Sequence, residues 1–379
     1  MKQEYAYWIA LTHLPKMKIA RKNELIVRFF EEKLSIIDFF HCNKTDWNNL
    51  FLLNEIEISL LNEAKKELPN YSFLVEDILE QGYEIIPITS PDYSPIMKNN
   101  LKRAFSPPLI YTKGNKKIMK ENSIAIVGSR KADYVSLEFT DYVAKKASKD
   151  YKIVVSGFAK GVDKQALDSA IKYKGQSIIV LPQGITTFNS GFKKYHKQIV
   201  NGDVLVLSTF FPKATWSVQL AMARNPIIYG LAKEIYVAES SEKGGTWSGV
   251  MDGLRKGRSI YVRTPLLKEK NANNLLIQKG AIPVNSKGNE INNYSVPQII
   301  ESIVMEPTAA INDIDSKITK LLAFGPFTSK EIIERLKLDW TTRKLTNYLK
   351  QNDNIEVLGK KSPMKFKIKS NEQLQKSLF

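Results

Sequence analysis

Three short stretches join glycine to hydroxyls and cations in a way suited to holding an anion. They are Gly128-Ser129-Arg130, then Ser156-Gly157 with Lys160, Gly161 and Lys164 behind it, then Lys243-Gly244-Gly245-Thr246. Glycine lets backbone N–H groups approach a phosphate, a following helix adds the positive end of its dipole, and Arg or Lys supplies charge. For any one of these loops the alternative is a tight strand-to-helix turn without a ligand. Arg224-Asn225 is a fourth candidate, because a guanidinium fork pairs with phosphate and an amide donates to it or to a base. Its alternative is an ion pair inside the fold. Nothing else in the chain spells out bond-breaking chemistry: there is no Ser/His/Asp order, no HExxH, no Walker loop and no paired-carboxylate spacing. With Cys42 the single cysteine and only His13, His41 and His196 for histidines, an internal disulfide is impossible, and neither a metal nor a cofactor is expected.

The elements that must carry these loops are legible as alternating patterns. Ile124–Val127, Ile153–Val155 and Ser177–Leu181 are continuous apolar runs separated by helical stretches, the first with Phe139, Val143 and Ala147, the second with Val162, Ala166, Leu167 and Ala170. Such βαβ units predict a parallel sheet buried on both faces. Glu84–Ile88, Val204–Leu207, Ile235–Ala238 and Ser259–Val262 extend it, with proline-rich 106–115 read as extended scaffold. The expected class is α/β, a Rossmann-like doubly wound, mostly parallel sheet over 81–306. An N-terminal helical domain over 1–80 and a C-terminal winged helix over 307–379 flank it. In the winged helix, Glu306-Pro307 to Ile314 is the linker, Thr328-Ser329-Lys330-Glu331 a helix cap, and Ile355–Leu358 and Lys365–Ile368 the wing. Arg343, Lys344 and Lys350 on its third helix, with Lys360 and Lys361 in the wing, are candidates for contact with DNA, or for docking a protein.

Composition narrows the partner. The 379 residues carry a formal net charge of +17 with 43% hydrophobic residues, which describes a folded, strongly basic protein. A polyanion is the expected partner, nucleic acid before membrane, unless the lysine simply reflects an AT-rich genome. No stretch approaches 18 apolar residues and the first residues lack a signal-peptide pattern, so no membrane partner and a cytoplasmic location are expected.

The same loops carry a resemblance. IAIVGSRK, VVSGFAKGVD, SIIVLPQGI, the Arg224-Asn225 run ending in Ile227-Ile228-Tyr229-Gly230-Leu231, and Asn274 to Ala281 are similar, in order, to the DprA/Smf family of DNA-processing proteins. Ser106 to Asn115 resembles that family's Pro-Pro lead-in, and Leu11 to Pro15 the opening of its helical domain. Two positions and one short stretch depart from the pattern. Pro226 replaces a second arginine, Thr209 an acidic residue, and Lys16-Met17-Lys18-Ile19 a Gly-hydrophobic-Gly hairpin. The resemblance implies a Rossmann-like, non-catalytic protein that binds single-stranded DNA, forms a homodimer through that domain and helps load a RecA-like recombinase. Two other functions stay open: a nucleotide-sensing or antitoxin-like regulator, possible in phage or plasmid defence, and a nucleotide phosphoribohydrolase. The last is disfavoured because Gly249 stands where those enzymes carry a glutamate.

Overall fold

The computed structural model describes residues 2–266, 269–296, 317–323, 325–336, 338, 340–352, 354–359 and 364–369. The chain divides into two compact units, Met1–Val296 and Pro297–Phe379.

The first unit opens with helices α1 (Lys2–Thr12), α2 (Ile19–Glu31), α3 (Ile36–His41), α4 (Lys44–Asn49), α5 (Glu55–Lys66) and α6 (Leu68–Glu80). Short polar residues start several of them: Ser35 with Asp38, and Asn54 with Glu57, form reciprocal capping boxes at α3 and α5. Their apolar faces bury Trp8, Phe29, Phe39, Phe40 and Phe51 in a cluster that continues without a break into Ile85, Tyr111, Ile179 and Val206 of the sheet. The helical region and the sheet thus share a core.

The sheet runs through β1 (Glu84–Pro87), α7 (Pro95–Phe105), β2 (Leu109–Lys113), β3 (Ser123–Val127), α8 (Tyr134–Lys149), β4 (Ile153–Ser156), α9 (Val162–Lys172) and β5 (Ser177–Val180). It continues through α10 (Asn189–Val200), β6 (Val204–Ser208), α11 (Val218–Gly230), β7 (Glu234–Val237), α12 (Gly245–Arg255), β8 (Ser259–Arg263), α13 (Asn273–Gln278) and β9 (Ile282–Val284). The strand order is β1-β2-β6-β5-β4-β3-β7-β8-β9. Strands β3 to β9 are parallel, and β2 runs against both its neighbours. Helices cover both faces and leave β3 and β6 buried along their whole length. This is the Rossmann-like α/β class that the apolar runs predict. The proline-rich lead-in turns out to contain a strand, β2, because its prolines precede rather than interrupt Leu109–Lys113.

From β3 the chain winds outward to β6 in one direction, then returns and winds from β7 to β9 in the other. The loops after β3 and β7 therefore diverge, and a crevice opens between them at the carboxyl ends of the strands. Both crevice walls are anchored through one buried arginine. Arg263, 1% exposed, is clamped by Glu269 at 2.6 Å and donates to the Ala238 carbonyl and the Ser136 hydroxyl, each at 3.0 Å. Ser136 in turn donates to the Glu239 carboxylate at 2.9 Å. Among the described residues, no helix is long and apolar enough to cross a membrane.

The second unit contains α14 (317–322), β10 (Phe327–Thr328), α15 (Ser329–Leu336), α16 (Thr342–Gln351), β11 (Ile355–Leu358) and β12 (Lys365–Ile368). Its three strands form an antiparallel sheet in the order β10-β12-β11. Ile318, Leu322, Ile332, Leu345, Leu349 and Phe366 make its core. Thr328 and Glu331 cap α15 reciprocally. Arg343, Lys344 and Lys350 stand exposed on α16, with the Lys344 ammonium 4.4 Å from the Trp340 ring. Lys360, Lys361 and the linker 306–314 lie outside the described residues.

Truncating Glu269 to alanine leaves Arg263 buried and unpaired, which is expected to cost about 3–5 kcal/mol of stability in urea denaturation followed by tryptophan fluorescence. A change under about 0.5 kcal/mol, the size expected of a surface substitution, would mean that this arginine does not hold the crevice together.

Candidate functional site

The first two glycine loops interlock through their backbones. A Cβ on Gly128 would lie 2.6 Å from Val162 Cγ2, and one on Gly161, where φ is +87°, 2.4 Å from the Ser129 carbonyl oxygen. The Val162 N–H donates to that same carbonyl at 3.3 Å, and the Ser129 N–H donates to the Glu239 carbonyl at 3.1 Å. Ser156 is buried and donates to the Ile126 carbonyl at 2.9 Å, tying β4 to β3. A Cβ on Gly157 would stand 1.4 Å from Arg224 Nη1. In this second loop, then, Ser156, Gly157 and Gly161 serve close packing. Lys160 stands exposed beside them, and Lys164 pairs with Asp168 at 3.0 Å on the side of α9 that meets Tyr195 and Lys194 of α10.

The other candidates converge. A cleft of 340 Å³ opens at the crevice between β3 and β7, with Gly128, Ser129 and Arg130 on one wall and Lys243, Gly244, Gly245 and Thr246 on the other. The second wall is the start of α12, whose first N–H groups have no acceptor within the helix and carry the positive end of its dipole. Gly244, at φ +97°, makes the turn into it. A Cβ on Gly245 would lie 2.7 Å from Asn225 Nδ2, so glycine there lets the helix start close against the Asn225 amide.

Arg224 and Asn225 reach the cleft from α11, a helix that continues through Pro226. Arg224 is 4% exposed. Its Nη1 donates to the Val180 carbonyl at 3.2 Å and lies 3.7 Å from Asp163 Oδ2, while its Nε is buried with no hydrogen-bond partner among the described residues. This arginine is ion-paired inside the fold and also lines the cleft. Burial raises the Asp163 carboxyl above its usual range, although the Arg224 guanidinium and the amides of Ala159 and Gly157 favour the charged form. Burial also lowers Arg224; Asp163 opposes that shift, and the charge of Arg130 adds to it. Two guanidinium groups thus act on one another across the cleft, with Lys243 exposed on its far wall. Among the described residues, neither Arg130 nor Lys243 forms a salt bridge. The charge of the cleft is positive and only partly compensated, which suits an anion.

Asp163 and Tyr229 belong to the site without having been singled out. Asp163 was visible as the acidic end of the stretch VVSGFAKGVD. Tyr229, whose buried hydroxyl also has no partner among the described residues, left no signal beyond its place near Arg224. The Glu239 carboxylate is engaged by the Ser136 hydroxyl and the Asp133 N–H. No group of three metal-ligating side chains occurs among the described residues.

Comparison with known proteins converges on the same region. A family model described as DNA recombination-mediator protein A matches residues 84–295, which contain every wall of the cleft. The chain is 28% identical over 230 residues to the DNA processing protein DprA of Bacillus subtilis (strain 168), covering 59% of this chain and 75% of that protein. It is 30% identical over 156 residues to DNA processing protein DprA of Streptococcus pneumoniae, covering 41% and 55% respectively. The X-ray structure of DprA from Streptococcus pneumoniae has the same fold, with a TM-score of 0.60 at 22% identity over 76% of this chain and 95% of that one.

Gly157→Ala forces a methyl group into the Arg224 guanidinium and is expected to cost about 1–3 kcal/mol in thermal or urea unfolding. Lys160→Ala, three residues on and exposed, should stay within about 0.5 kcal/mol of wild type. Equal stability of the two variants would mean that the buried arginine moves aside freely.

Proposed function

The chain belongs to the DNA recombination-mediator protein A family, and from that premise we propose that its cleft grips the sugar-phosphate backbone of single-stranded DNA and leaves it uncut. One observation carries the reading: the start of α12, Arg130, Lys243 and the buried Arg224 surround a single cleft whose one deep carboxylate, Asp163, lies 3.7 Å from Arg224. Backbone N–H groups and guanidinium forks hold phosphate oxygens whatever the base, so binding is independent of sequence and sensitive to salt. The sequence carries no Ser/His/Asp order, HExxH, Walker loop or paired-carboxylate spacing, which supports binding without catalysis.

The rest of the reading follows the family resemblance and the relatives' name, DNA processing protein. It includes a homodimer through the Rossmann-like domain, a RecA-like recombinase that receives the strand, and work in the cytoplasm. The second unit, read as a winged helix, would add Arg343, Lys344 and Lys350 of α16 as a further basic surface.

Fluorescence anisotropy with a labelled oligo(dT) tests the reading. With about four phosphates neutralised, affinity should fall roughly 50-fold between 50 and 200 mM salt. Arg130→Glu should lower affinity at least tenfold on every sequence tried. Lys164→Ala, whose partner Asp168 lies away from the cleft, should stay within about twofold of wild type. Salt-independent binding, an unchanged Arg130→Glu variant, or a nucleoside monophosphate that displaces the oligonucleotide and raises the melting temperature would favour the nucleotide-sensor alternative.

A further inference from the structure

We propose that the groove between α2 and α7, remote in sequence from the DNA-binding loops, seats an acidic amphipathic helix of a partner protein. Helix α2 has two apolar faces where one would suffice for folding. Leu25 and Phe29 are fully buried in the core, while Val27 and Phe30 are 36% and 53% exposed. With the buried Asn23 and Ile26, these last two line one wall of a 580 Å³ groove at i, i+3, i+4 and i+7, Val27 and Phe30 being its exposed apolar part. That wall spans about two helical turns, roughly 11 Å, the length over which one helix packs against another. Ile88, just beyond β1, adds to the apolar lining.

The facing wall is basic. Lys98, Lys102 and Arg103 line it from α7, and the one carboxylate on the groove is Glu31 of α2. Among the described residues, none of the three cations has a carboxylate partner. The Lys98 ammonium lies 5.3 Å from the Tyr93 ring, and Lys102 Nζ donates to Asn99 Oδ1 at 3.0 Å. At Lys102 the backbone leaves the helical region for φ 56° and ψ −176°, a conformation that disfavours any side chain. The chain turns there, and the last residues of α7 splay from its axis. Asn23 fixes the two walls, donating from Nδ2 to the carbonyls of Arg103 at 2.6 Å and Ser106 at 2.8 Å. The groove is therefore preformed, so little ordering of its walls accompanies binding.

Exposed apolar anchors, Val27 and Phe30, facing an unpaired basic wall define the occupant. It needs bulky aliphatic or aromatic anchors at helical spacing and carboxylates along one flank. A nucleic-acid strand fits less well, because the α2 wall offers it a carboxylate and no cation.

The probe is a labelled 16-residue synthetic helix with leucines at i, i+3, i+4 and i+7 and glutamates on one flank, titrated with the full-length protein by fluorescence anisotropy. Phe30→Glu, at an exposed position, and the milder Phe30→Ala should each weaken binding at least tenfold, as central anchors do. The Lys98→Glu/Arg103→Glu pair should do the same and should instead accept a lysine-flanked version of the peptide. All these variants should bind oligo(dT) as wild type does, which separates this groove from the cleft at β3 and β7. Peptide binding unaffected by either Phe30 substitution would overturn the proposal. So would displacement of the peptide by oligo(dT), or a dimer in sedimentation velocity that Phe30→Glu converts to monomer, which would assign the groove to a second copy of the chain.

Discussion

A guanidinium group enclosed by the protein and only partly neutralised underlies the site. Desolvating a charge of this size costs several kcal/mol even after relaxation. Arg224 recovers part of that from the Val180 carbonyl and the nearby Asp163 carboxylate. The enclosure works because residue 157 has no side chain, so the guanidinium lies where a Cβ would stand. The same arrangement links α11, the start of α9 and the end of β5 through one side chain. The charge of Arg130 bears on it in turn, and both contribute to the field in the cleft.

The second requirement is that the walls keep their spacing. In a doubly wound sheet the crevice exists because two consecutive windings depart in opposite directions, which by itself leaves two unsupported loops. Here the Arg263, Ser136 and Glu239 side chains run from β8 to α8 to the end of β7, and the Glu239 carbonyl receives the Ser129 N–H of the opposite wall. A chain of hydrogen bonds thus spans the mouth of the crevice from beneath. At the first turn of α12, Gly244 takes the positive φ that the turn needs and Gly245 lets the helix start close against Asn225.

Much of this was legible in the sequence, and the failures have physical causes. Strands β3 to β6 announce themselves because parallel strands buried on both faces must be continuously apolar. Loops 128–130 and 243–246 were found from glycine and cation together, and they do meet. In the second loop the sequence could not show what the glycines meet, because glycine looks the same whether it admits a ligand or a neighbouring side chain. At Gly157 and Gly161 the neighbours are Arg224 and the Ser129 carbonyl. Lys164 was drawn away by Asp168 one helical turn on, a pairing available in the sequence but overshadowed by the motif. Helix α11 was hidden by Pro226, which a helix of this length tolerates at an exposed position. The Arg263 network could not be read at all, because its members lie up to 133 residues apart and only the sheet order brings them together.

Hydrogen–deuterium exchange with and without a single-stranded oligonucleotide tests the central claim most directly, because backbone amides are the proposed contacts. The expected result is slowed exchange, in the same complex, at residues 128–130 and at 244–247, the two walls that the sheet reversal brings face to face. Protection confined to 341–369, or absent from both walls while the oligonucleotide is demonstrably bound, would contradict it.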